Sequence, residues 1–231
     1  MTVRCFGAKR ILVMKIAAFF DVDKTILSDN TGTLYLKYLA RKGLVSRLEV
    51  WRSRYWFIKY RMNLVDMETL SRRIMLEYKG KPEKEIEDTS RQWFEDMGRN
   101  YIYPEIKQLI EKHRVAGHVL LVITAGTRYT AGPIAEFLGI RHALCTILRV
   151  ENSYFTGELI NPICYGKGKV HWAIKFADEH GIDLKNSFFY TDSITDMPLL
   201  EEVGNRGIVN PDPIIRRVAA KRGWRVFEFK K

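Results

Sequence analysis

Short runs of apolar residues, each followed by a polar cluster, are the main pattern along the 231-residue chain. The runs at residues 15–20 (KIAAFF), 118–123 (HVLLVI) and 187–190 (SFFY) are almost wholly apolar and do not alternate with polar positions. Runs of this length without alternation are typical of strands that are buried on both faces, as in a parallel sheet. We therefore predict three buried parallel strands.

Amphipathic stretches precede the second and third runs and predict helices. Residues 104–117 (PEIKQLIEKHRVAG) have Pro104 at the start and Gly117 just past the end, and residues 169–182 (KVHWAIKFADEHGI) repeat apolar positions at helical spacing. Weaker patterns predict a helix at 213–221, a hairpin at 148–159, and strands at 143–147, 207–209 and 224–229. Strands alternating with helices indicate an α/β fold with a parallel sheet.

The chain between residues 28 and 102 has a different pattern, since it lacks apolar strand-like runs and is rich in helix formers. This pattern predicts a helical insertion, a second domain placed between the first and second strands. A stripe at helical spacing predicts the apolar core of the insertion: Val45, Leu48, Trp51, Tyr55, Ile58 and Met62.

Aromatic and basic residues are interleaved within the insertion at residues 51–61 (WRSRYWFIKYR). Trp56 and Tyr60 lie one turn apart and off the stripe, so we favour a helix that is buried on two sides. Two alternatives stay open: the segment lines a ligand pocket, or it makes a peripheral contact with an anionic membrane surface. No RRM, KH or helix-turn-helix signature accompanies it, so no specific nucleic-acid partner is predicted.

Charge is unevenly placed along the chain. The sequence has 38 Lys and Arg against 27 Asp and Glu, a net charge of +11, and 46% of its residues are hydrophobic, which excludes a disordered composition. Residues 41–61 contain seven basic residues and one acid, and residues 206–231 contain eight and two. Such clusters attract anions such as phosphorylated metabolites, lipid headgroups or nucleic acid, or they form a merely solvated basic surface.

The three cysteines, Cys5, Cys145 and Cys164, are far apart and lack the spacing of a zinc or redox motif. We predict reduced thiols in a cytoplasmic protein. No segment reaches the roughly 18 apolar residues of a membrane span. Residues 1–13 are expected to be a loose extension before a domain that begins at Met14.

Polar clusters follow each of the three predicted strands. Asp21 and Asp23 follow the first, Thr124 the second, and Asp192 and Asp196 the third. Open α/β sheets bind ligands at the carboxyl ends of their strands, so these clusters should converge. Carboxylates gathered there would repel one another unless a cation neutralised them, and oxygen-only ligands favour Mg²⁺, which implies a phosphate ester as substrate. Each cluster taken alone could instead be a turn or a helix cap.

This combination of motifs, DVDKT at 21–25, ITAG at 123–126 and TDSITD at 191–196, resembles the haloacid dehalogenase superfamily of phosphohydrolases. The resemblance is to subfamily IB, the branch similar to phosphoserine phosphatase. It implies a Rossmann-like parallel sheet flanked by helices, with a helical cap inserted after the first strand. The implied core domain comprises residues 1–27 and 103–231, and the cap residues 28–102.

The resemblance also implies roles for the clustered residues. Asp21 would be the nucleophile that forms an aspartyl-phosphate, and Asp23 would protonate the leaving alcohol and then activate water. Thr124 and Ala125 would bind the transferring phosphoryl group. Asp192 would bind Mg²⁺ together with Asp21 and the carbonyl of Asp23.

The phosphate-binding lysine of the family best matches Lys169, at the start of a predicted helix, and Lys167 is the alternative. Asp196 would orient this lysine or a metal-bound water, and Thr25 would support the site. Three features depart from the family pattern, the first being that the second motif reads ITAG rather than the commoner pattern with Ser. Thr191 stands where a Gly often precedes the metal-binding Asp, and Asn30 stands where phosphoserine phosphatases have a Glu that helps recognise the substrate amine.

The resulting prediction is a Mg²⁺-dependent phosphatase acting on a small phosphorylated molecule, with phosphoserine disfavoured by Asn30. Transfer of the phosphoryl group to an acceptor other than water, or hydrolysis of a lipid phosphate, would use the same core residues. A non-catalytic protein that binds anions or nucleic acid is a further alternative, although such a protein would have no need of the full set of polar residues. The sequence leaves the oligomeric state open.

Overall fold

Residues 17–20 form the central strand of the sheet, and all four side chains are fully buried. The computed structural model describes residues 14–62 and 64–230, and within these ranges seven strands form one sheet in the order β4-β3-β2-β1-β5-β6-β7. The strands, in chain order, are β1 (Ala17–Phe20), β2 (Val119–Thr127), β3 (His142–Glu151), β4 (Tyr154–Ile160), β5 (Phe188–Thr191), β6 (Asn205–Val209) and β7 (Arg225–Phe227). Neighbouring strands are parallel except β3 and β4.

Nine α-helices lie within the same described ranges. They are α1 (Thr31–Arg41), α2 (Arg47–Arg61), α3 (Met67–Leu76), α4 (Glu83–Asp96), α5 (Pro104–Val115), α6 (Arg128–Phe137), α7 (Lys167–His180), α8 (Met197–Glu202) and α9 (Pro213–Arg222). Short 3₁₀ turns at Gly98–Tyr101 and Ile194–Asp196 complete the helical structure. Five helices, α5–α9, therefore alternate with the strands as the sequence predicts, apart from the direct connection of β3 to β4. The other four, α1–α4, are inserted between β1 and α5.

Apolar clusters cover both faces of the sheet, because successive side chains of a strand point to opposite faces. Ala18 and Phe20 of β1 belong to the cluster that contains the buried residues of α5 and α6. Ala17 and Phe19 belong to the cluster that contains those of α7, α8 and α9. The continuous apolar run at residues 15–20 is explained by this two-sided burial.

The predicted α/β fold with a parallel sheet is confirmed, and so are the predicted strands and helices outside the insertion. β2 continues to Thr127, four residues beyond the predicted end. The predicted hairpin is formed by β3 and β4, with Asn152 and Ser153 at φ 50° and 65° in its turn. Two successive residues with positive φ are the requirement of the type I′ turns that match strand twist.

The inserted helices contact the rest of the chain at several places. Leu34 of α1 and Trp93 of α4 are buried in the apolar cluster that also contains Phe20. Tyr78, which follows α3, packs its ring against Phe155 of β4 at 6.0 Å between centroids. The division into a core and a cap at residues 28 and 102 stays a prediction.

The predicted apolar core of the insertion is wrong. Leu48, Trp51, Tyr55, Ile58 and Met62 are all exposed, and Val45 is half-buried. The favoured interpretation of α2 as a helix buried on two sides is therefore also wrong, because only the side with Trp56 and Tyr60 is partly covered. Helical spacing identifies one face of a helix but does not show whether another element covers it.

The expectation of a loose extension at residues 1–13, together with Cys5, lies outside the described residues. The other two cysteines, Cys145 and Cys164, are buried free thiols. Among residues 14–62 and 64–230, no helix combines the length and the apolar character that crossing a membrane requires.

Candidate active site

Asp21 leaves the end of β1 directly into a tight turn. Its backbone N–H donates to Tyr190 O of β5 at 2.9 Å, so the sheet pairing continues one residue beyond the strand. The N–H groups of Thr25, Ile26 and Leu27 then all point to Val22 O, within 3.3 Å. The carboxylate of Asp21 is thereby fixed at the carboxyl edge of the sheet, where parallel strands place their functional groups.

Lys169, at the third position of α7, connects two carboxylates from different strand ends. Its Nζ lies 2.7 Å from Asp21 Oδ1 and 2.7 Å from Asp196 Oδ2, and all three side chains are buried. Thr191 Oγ1 donates to the same Oδ2 of Asp196 at 2.7 Å. Residues 21, 169 and 196, distant in sequence, thus form one hydrogen-bonded group.

The charges of this group are strongly coupled. Burial raises the pKa of Asp21 well above its usual range, and Lys169 opposes this shift while Asp196 adds to it. Burial by itself would lower the pKa of Lys169, but Asp196 and Asp21 hold it above its usual range. Lys169 is therefore a fixed positive charge in a water-poor site, where it can stabilise an anionic ligand.

Asp23 is held by the start of α1. Its Oδ1 accepts hydrogen bonds from the backbone N–H of Thr31, at 2.7 Å, and from the Thr31 hydroxyl, and its Oδ2 accepts from Asn30 Nδ2 at 2.8 Å. Burial raises the pKa of Asp23, against the lowering effect of the Thr31 bonds. A carboxyl group with a raised pKa in a fixed orientation is suited to donate a proton and take it back.

Thr124 is buried near the end of β2, where the strand leaves regular register with β3. Its Oγ1 accepts from the N–H of Gly126 at 3.1 Å, and the carbonyl of Ala125 accepts from Thr146 Oγ1 at 2.8 Å. Thr25 Oγ1 is also buried and has no hydrogen-bond partner within the described ranges. Thr25 follows β1 and Thr124 lies in the neighbouring strand β2, so both buried hydroxyls belong to the part of the sheet that carries Asp21.

Asp192 follows β5 and is half-buried. Burial, opposed by Lys24 and reinforced by Asp196 and Asp23, raises its pKa to about 7. Asp192 likewise raises the pKa of Asp21, so the two carboxylates repel each other. A cation between them would relieve this repulsion.

A hard cation fits the donor set, which consists of carboxylate, carbonyl and hydroxyl oxygens. Searched over residues 14–62 and 64–230, the chain contains no cluster of three or more His, Cys, Asp or Glu side chains that could hold a metal ion. The Mg²⁺ ligands predicted from the sequence include only two carboxylates, those of Asp21 and Asp192, together with the carbonyl of Asp23. Mg²⁺ commonly binds through one or two carboxylates and completes its octahedron with water and phosphate oxygens.

The structure brings Asp21, Lys169 and Asp196 into direct contact and leaves Lys167 exposed. The sequence did not predict that Thr31 and Asn30 would be the hydrogen-bond partners of Asp23. Their signal was present, because an Asn followed by Thr before a helical pattern marks a helix N-terminus, where N–H groups point outward. Asn30 indeed caps α1 by accepting from Thr33 N at 3.0 Å.

A cleft of about 430 Å³ lies beside the start of α7, where Lys167 and Gly168 line it. It is lined by Asp66, Met67 and Glu68 at the start of α3 and by residues of the segment 161–168 before and at the start of α7. A hydrogen bond of 2.9 Å between the hydroxyls of Tyr60 and Tyr165 joins α2 to this segment. The inserted helices therefore form one wall of the cleft.

The chain is similar to known hydrolases and phosphatases over most of its length. The family model described as haloacid dehalogenase-like hydrolase matches residues 18–201. A probable phosphatase of Mycobacterium tuberculosis is 32% identical over 220 residues, which cover 94% of this chain and 76% of the relative. A histidinol-phosphatase of Neisseria meningitidis is 27% identical over 222 residues, which cover 94% of this chain and 100% of the relative.

Solved structures share the fold over almost the whole chain. A protein of unknown function from Bordetella pertussis Tohama I has a TM-score of 0.87 at 25% identity, covering 93% of this chain and 99% of that one. A phosphoserine phosphatase, solved as a phospho-aspartyl intermediate analogue, has a TM-score of 0.65 at 19% identity and covers 94% of both chains. At this identity the second likeness concerns the fold alone.

Proposed function

Because the chain belongs to the haloacid dehalogenase-like hydrolases, we propose that it hydrolyses a small phosphate monoester through an aspartyl-phosphate on Asp21, with Mg²⁺ as cofactor. Membership in the family confirms the resemblance predicted from the motifs. The chain is a phosphatase of this family, as are its relatives in Mycobacterium tuberculosis and Neisseria meningitidis by name. The substrate, the metal and the residue roles are the proposal.

The observation that carries the proposal is the contact of Lys169 Nζ with both Asp21 and Asp196, at 2.7 Å each, in a buried site. An ammonium group beside the attacking oxygen would counter the charge of the three phosphoryl oxygens. A purely structural role would explain one buried pair. It does not explain why Asp192 and Asp23 bring further negative charge near Asp21 and raise its pKa.

In the first step, a carboxylate oxygen of Asp21 attacks phosphorus and the bond from phosphorus to the ester oxygen breaks. Asp23 gives its proton to the departing alkoxide, so the alcohol leaves neutral. The raised pKa of Asp23 favours the protonated form that this step needs. Thr124 and Lys169 would hold the phosphoryl oxygens during the transfer.

In the second step, water attacks the phosphorus of the aspartyl-phosphate. Asp23, now ionised, accepts a proton from this water, the phosphorus–carboxylate bond breaks, and inorganic phosphate leaves. Asp21 and Asp23 return to their starting states. Asn30 and Thr31 keep the carboxylate of Asp23 in place through both steps.

Asp21, Asp192 and the carbonyl of Asp23 would hold Mg²⁺. When bound, the ion supplies positive charge that neutralises phosphate oxygens and orients them for in-line attack. The residues around it would exclude water from the cleft, with the segment 28–102 acting as the cap.

The substrate alcohol would be a small molecule without a phosphoserine-like amine. Asn30, which stands where phosphoserine phosphatases have a recognising Glu, is neutral and already donates to Asp23.

The test is hydrolysis of p-nitrophenyl phosphate by the full chain with and without Mg²⁺, compared with Asp21→Asn. We expect metal-dependent release of phosphate by the wild type, and a loss on the order of 1,000-fold in the variant, whose fold is checked by circular dichroism. Brief incubation with radiolabelled substrate should label the wild-type protein in a hydroxylamine-sensitive way. Activity of Asp21→Asn near that of the wild type would exclude the proposed nucleophile.

Release of phosphate in step with p-nitrophenol separates hydrolysis from transfer to another acceptor. The matched control is Asp178→Asn, since Asp178 is an exposed carboxylate on α7 and none of the proposed roles falls on it. Equal loss of activity in the control would show that the effect is not specific to Asp21.

A further inference from the structure

The outer face of α2 is a continuous apolar stripe that no part of the described chain covers. The stripe, hereafter the α2 stripe, consists of Leu48, Trp51, Tyr55, Ile58 and Met62, spaced by three or four residues. Leu48, Trp51, Ile58 and Met62 are 62%, 64%, 55% and 63% exposed. Trp51 and Tyr55 stack with centroids 5.8 Å apart, so the aromatic part of the surface is pre-formed.

The other side of α2 is attached to the protein. The guanidinium of Arg73 lies 5.2 Å from the Trp56 ring centroid, and the Tyr60 hydroxyl bonds to Tyr165. Because these contacts hold the inner face of α2 against the protein, the side chains on its opposite face point to solvent in a fixed direction. The α2 stripe is therefore a surface feature of the folded protein.

Basic residues border the α2 stripe on both edges. Arg47 and Arg54 are seven residues apart and lie along one edge. Arg52 and Lys59 repeat the same spacing along the other, where Arg52 pairs with Glu77 at 2.8 Å. Arg47 and Arg54 form no ion pair within the described residues. Glu49, the single acid between residues 41 and 61, has its carboxylate bound to the backbone N–H of Ser46 in a capping box.

From this arrangement we infer that α2 docks the protein on an anionic phospholipid surface. Helices that lie in the membrane interface place apolar and Trp side chains into the boundary of the acyl chains and basic side chains among the headgroups. The α2 stripe and its two basic edges have this arrangement on a helix anchored from its inner face. The inference goes beyond the proposed function and involves none of the residues proposed for catalysis.

A second copy of the chain fits this face less well. Both edges of the α2 stripe are basic, so a two-fold dimer through it would place Arg and Lys against Arg and Lys. Single-stranded nucleic acid also fits less well, because Leu48, Ile58 and Met62 offer no aromatic plane on which a base can stack. Acyl chains and anionic headgroups complement both the aliphatic residues and the charge.

The experiment is sedimentation of the full chain with vesicles of 30% phosphatidylglycerol and 70% phosphatidylcholine, and with vesicles of phosphatidylcholine alone. We expect binding to the anionic vesicles that weakens as salt is raised, and little binding to the neutral ones. The double variant Trp51→Ser/Ile58→Ser should bind at least tenfold more weakly. Arg47→Gln/Arg54→Gln should lose about 30-fold, since a basic residue near such a surface contributes about 1 kcal/mol.

Matched controls come from exposed residues elsewhere. Val115→Ser/Ile214→Ser removes two exposed apolar side chains, and Arg217→Gln/Lys221→Gln removes two charges from α9. Neither should change vesicle binding. All variants should keep the thermal stability of the wild type and its hydrolysis of p-nitrophenyl phosphate, because the substituted residues are exposed and none has a proposed catalytic role.

Four outcomes would overturn the inference: no binding to anionic vesicles, equal binding to neutral vesicles, equal losses in the α9 and α2 charge variants, or unchanged binding in Trp51→Ser/Ile58→Ser. A dimer in light scattering that Trp51→Ser/Ile58→Ser dissociates would assign the face to a second copy instead. Binding of oligo(dT) that depends on the α2 stripe, without vesicle binding, would assign it to nucleic acid.

Discussion

The amide of Asn30 donates a hydrogen bond of 2.8 Å to the carboxylate of Asp23, while its carbonyl oxygen caps α1 through Thr33 N. One side chain therefore fixes a helix end and orients the proposed proton donor. The two roles separate in Asn30→Ser, since Ser caps helices about as well as Asn but has no amide to reach Asp23.

Asn30→Ser should keep thermal stability within about 0.5 kcal/mol and lower kcat on an alkyl phosphate several-fold. Asn30→Ala should lose the cap as well, which costs about 1 kcal/mol of the free energy of unfolding. Thermal unfolding and steady-state kinetics on both variants check this. If both variants keep wild-type kcat, the amide has no part in orienting Asp23.

Lys169 and Lys167 provide a matched pair two residues apart. Lys169→Met would leave the buried carboxylates of Asp21 and Asp196 without their counter-charge, a change that typically costs about 3–5 kcal/mol. We expect a large fall in both the free energy of unfolding and the rate of hydrolysis. Lys167→Met, at an exposed position, should change neither. Urea unfolding and hydrolysis rates measure the two effects, and similar results for the two variants would contradict the assignment of Lys169.

Gly168 lies where a side chain cannot fit. A Cβ at this position would stand 1.8 Å from the carbonyl oxygen of Ile163, so the start of α7 would have to move. Because Lys169 is the next residue, Gly168→Ala should lower kcat on the order of 100-fold, as misplacement of a positioning group by about 1 Å can do.

The control for Gly168→Ala is Gly132→Ala in α6, where nothing lies within 4 Å of an added Cβ. Alanine is the better helix former, so this variant should be as stable as the wild type or more stable by up to about 1 kcal/mol. Unfolding curves and kcat compare the two. Wild-type kcat in Gly168→Ala would show that the backbone there can shift without moving Lys169.

His113 should make stability depend on pH below neutrality. Burial, with a further contribution from His118, lowers the pKa of His113 to about 4, and its Nε2 lies 2.8 Å from the Tyr190 hydroxyl. The unfolded imidazole titrates near pH 6.5, so between these values the unfolded state binds a proton that the folded state does not. Stability is therefore complete above about pH 6.5 and falls as the pH is lowered towards 4.

The expected loss from His113 is about 2 kcal/mol between pH 7 and about pH 4.5. Urea unfolding of the wild type and His113→Gln across this range isolates the effect, because the carboxylates contribute equally to both. The difference in stability between the two proteins should shrink as the pH falls. Parallel curves would mean that His113 does not titrate differently in the folded and unfolded states.

Local chemistry explains why much of the sheet was predictable. The run at residues 15–20 has no polar position after Lys15, and only a strand covered on both sides can bury Ala17, Ala18, Phe19 and Phe20 together. The hairpin turn at Asn152 and Ser153 is signalled by Asn152, because Asn adopts a positive φ more readily than most residues. Such elements are specified within a few residues.

The partners of Asp23 were missed for a different reason. Thr31 is eight residues away and reaches Asp23 because the turn after β1 folds back onto the start of α1. The sequence indicates that Asn30 caps a helix, but it does not indicate that the side-chain amide of Asn30 donates to Asp23. The exposure of the α2 stripe was missed in the same way, since periodicity does not report which neighbours a helix has.

The sequence by itself determined the parallel sheet, the alternation of strands and helices, and the polar clusters at the strand ends, because each depends on residues close together along the chain. Tertiary structure alone decided that Lys169 rather than Lys167 contacts Asp21, that Asn30 and Thr31 hold Asp23, and that the apolar face of α2 points outward. These are contacts between distant segments, and they depend on how the connections pack the helices against the sheet, which no local pattern encodes.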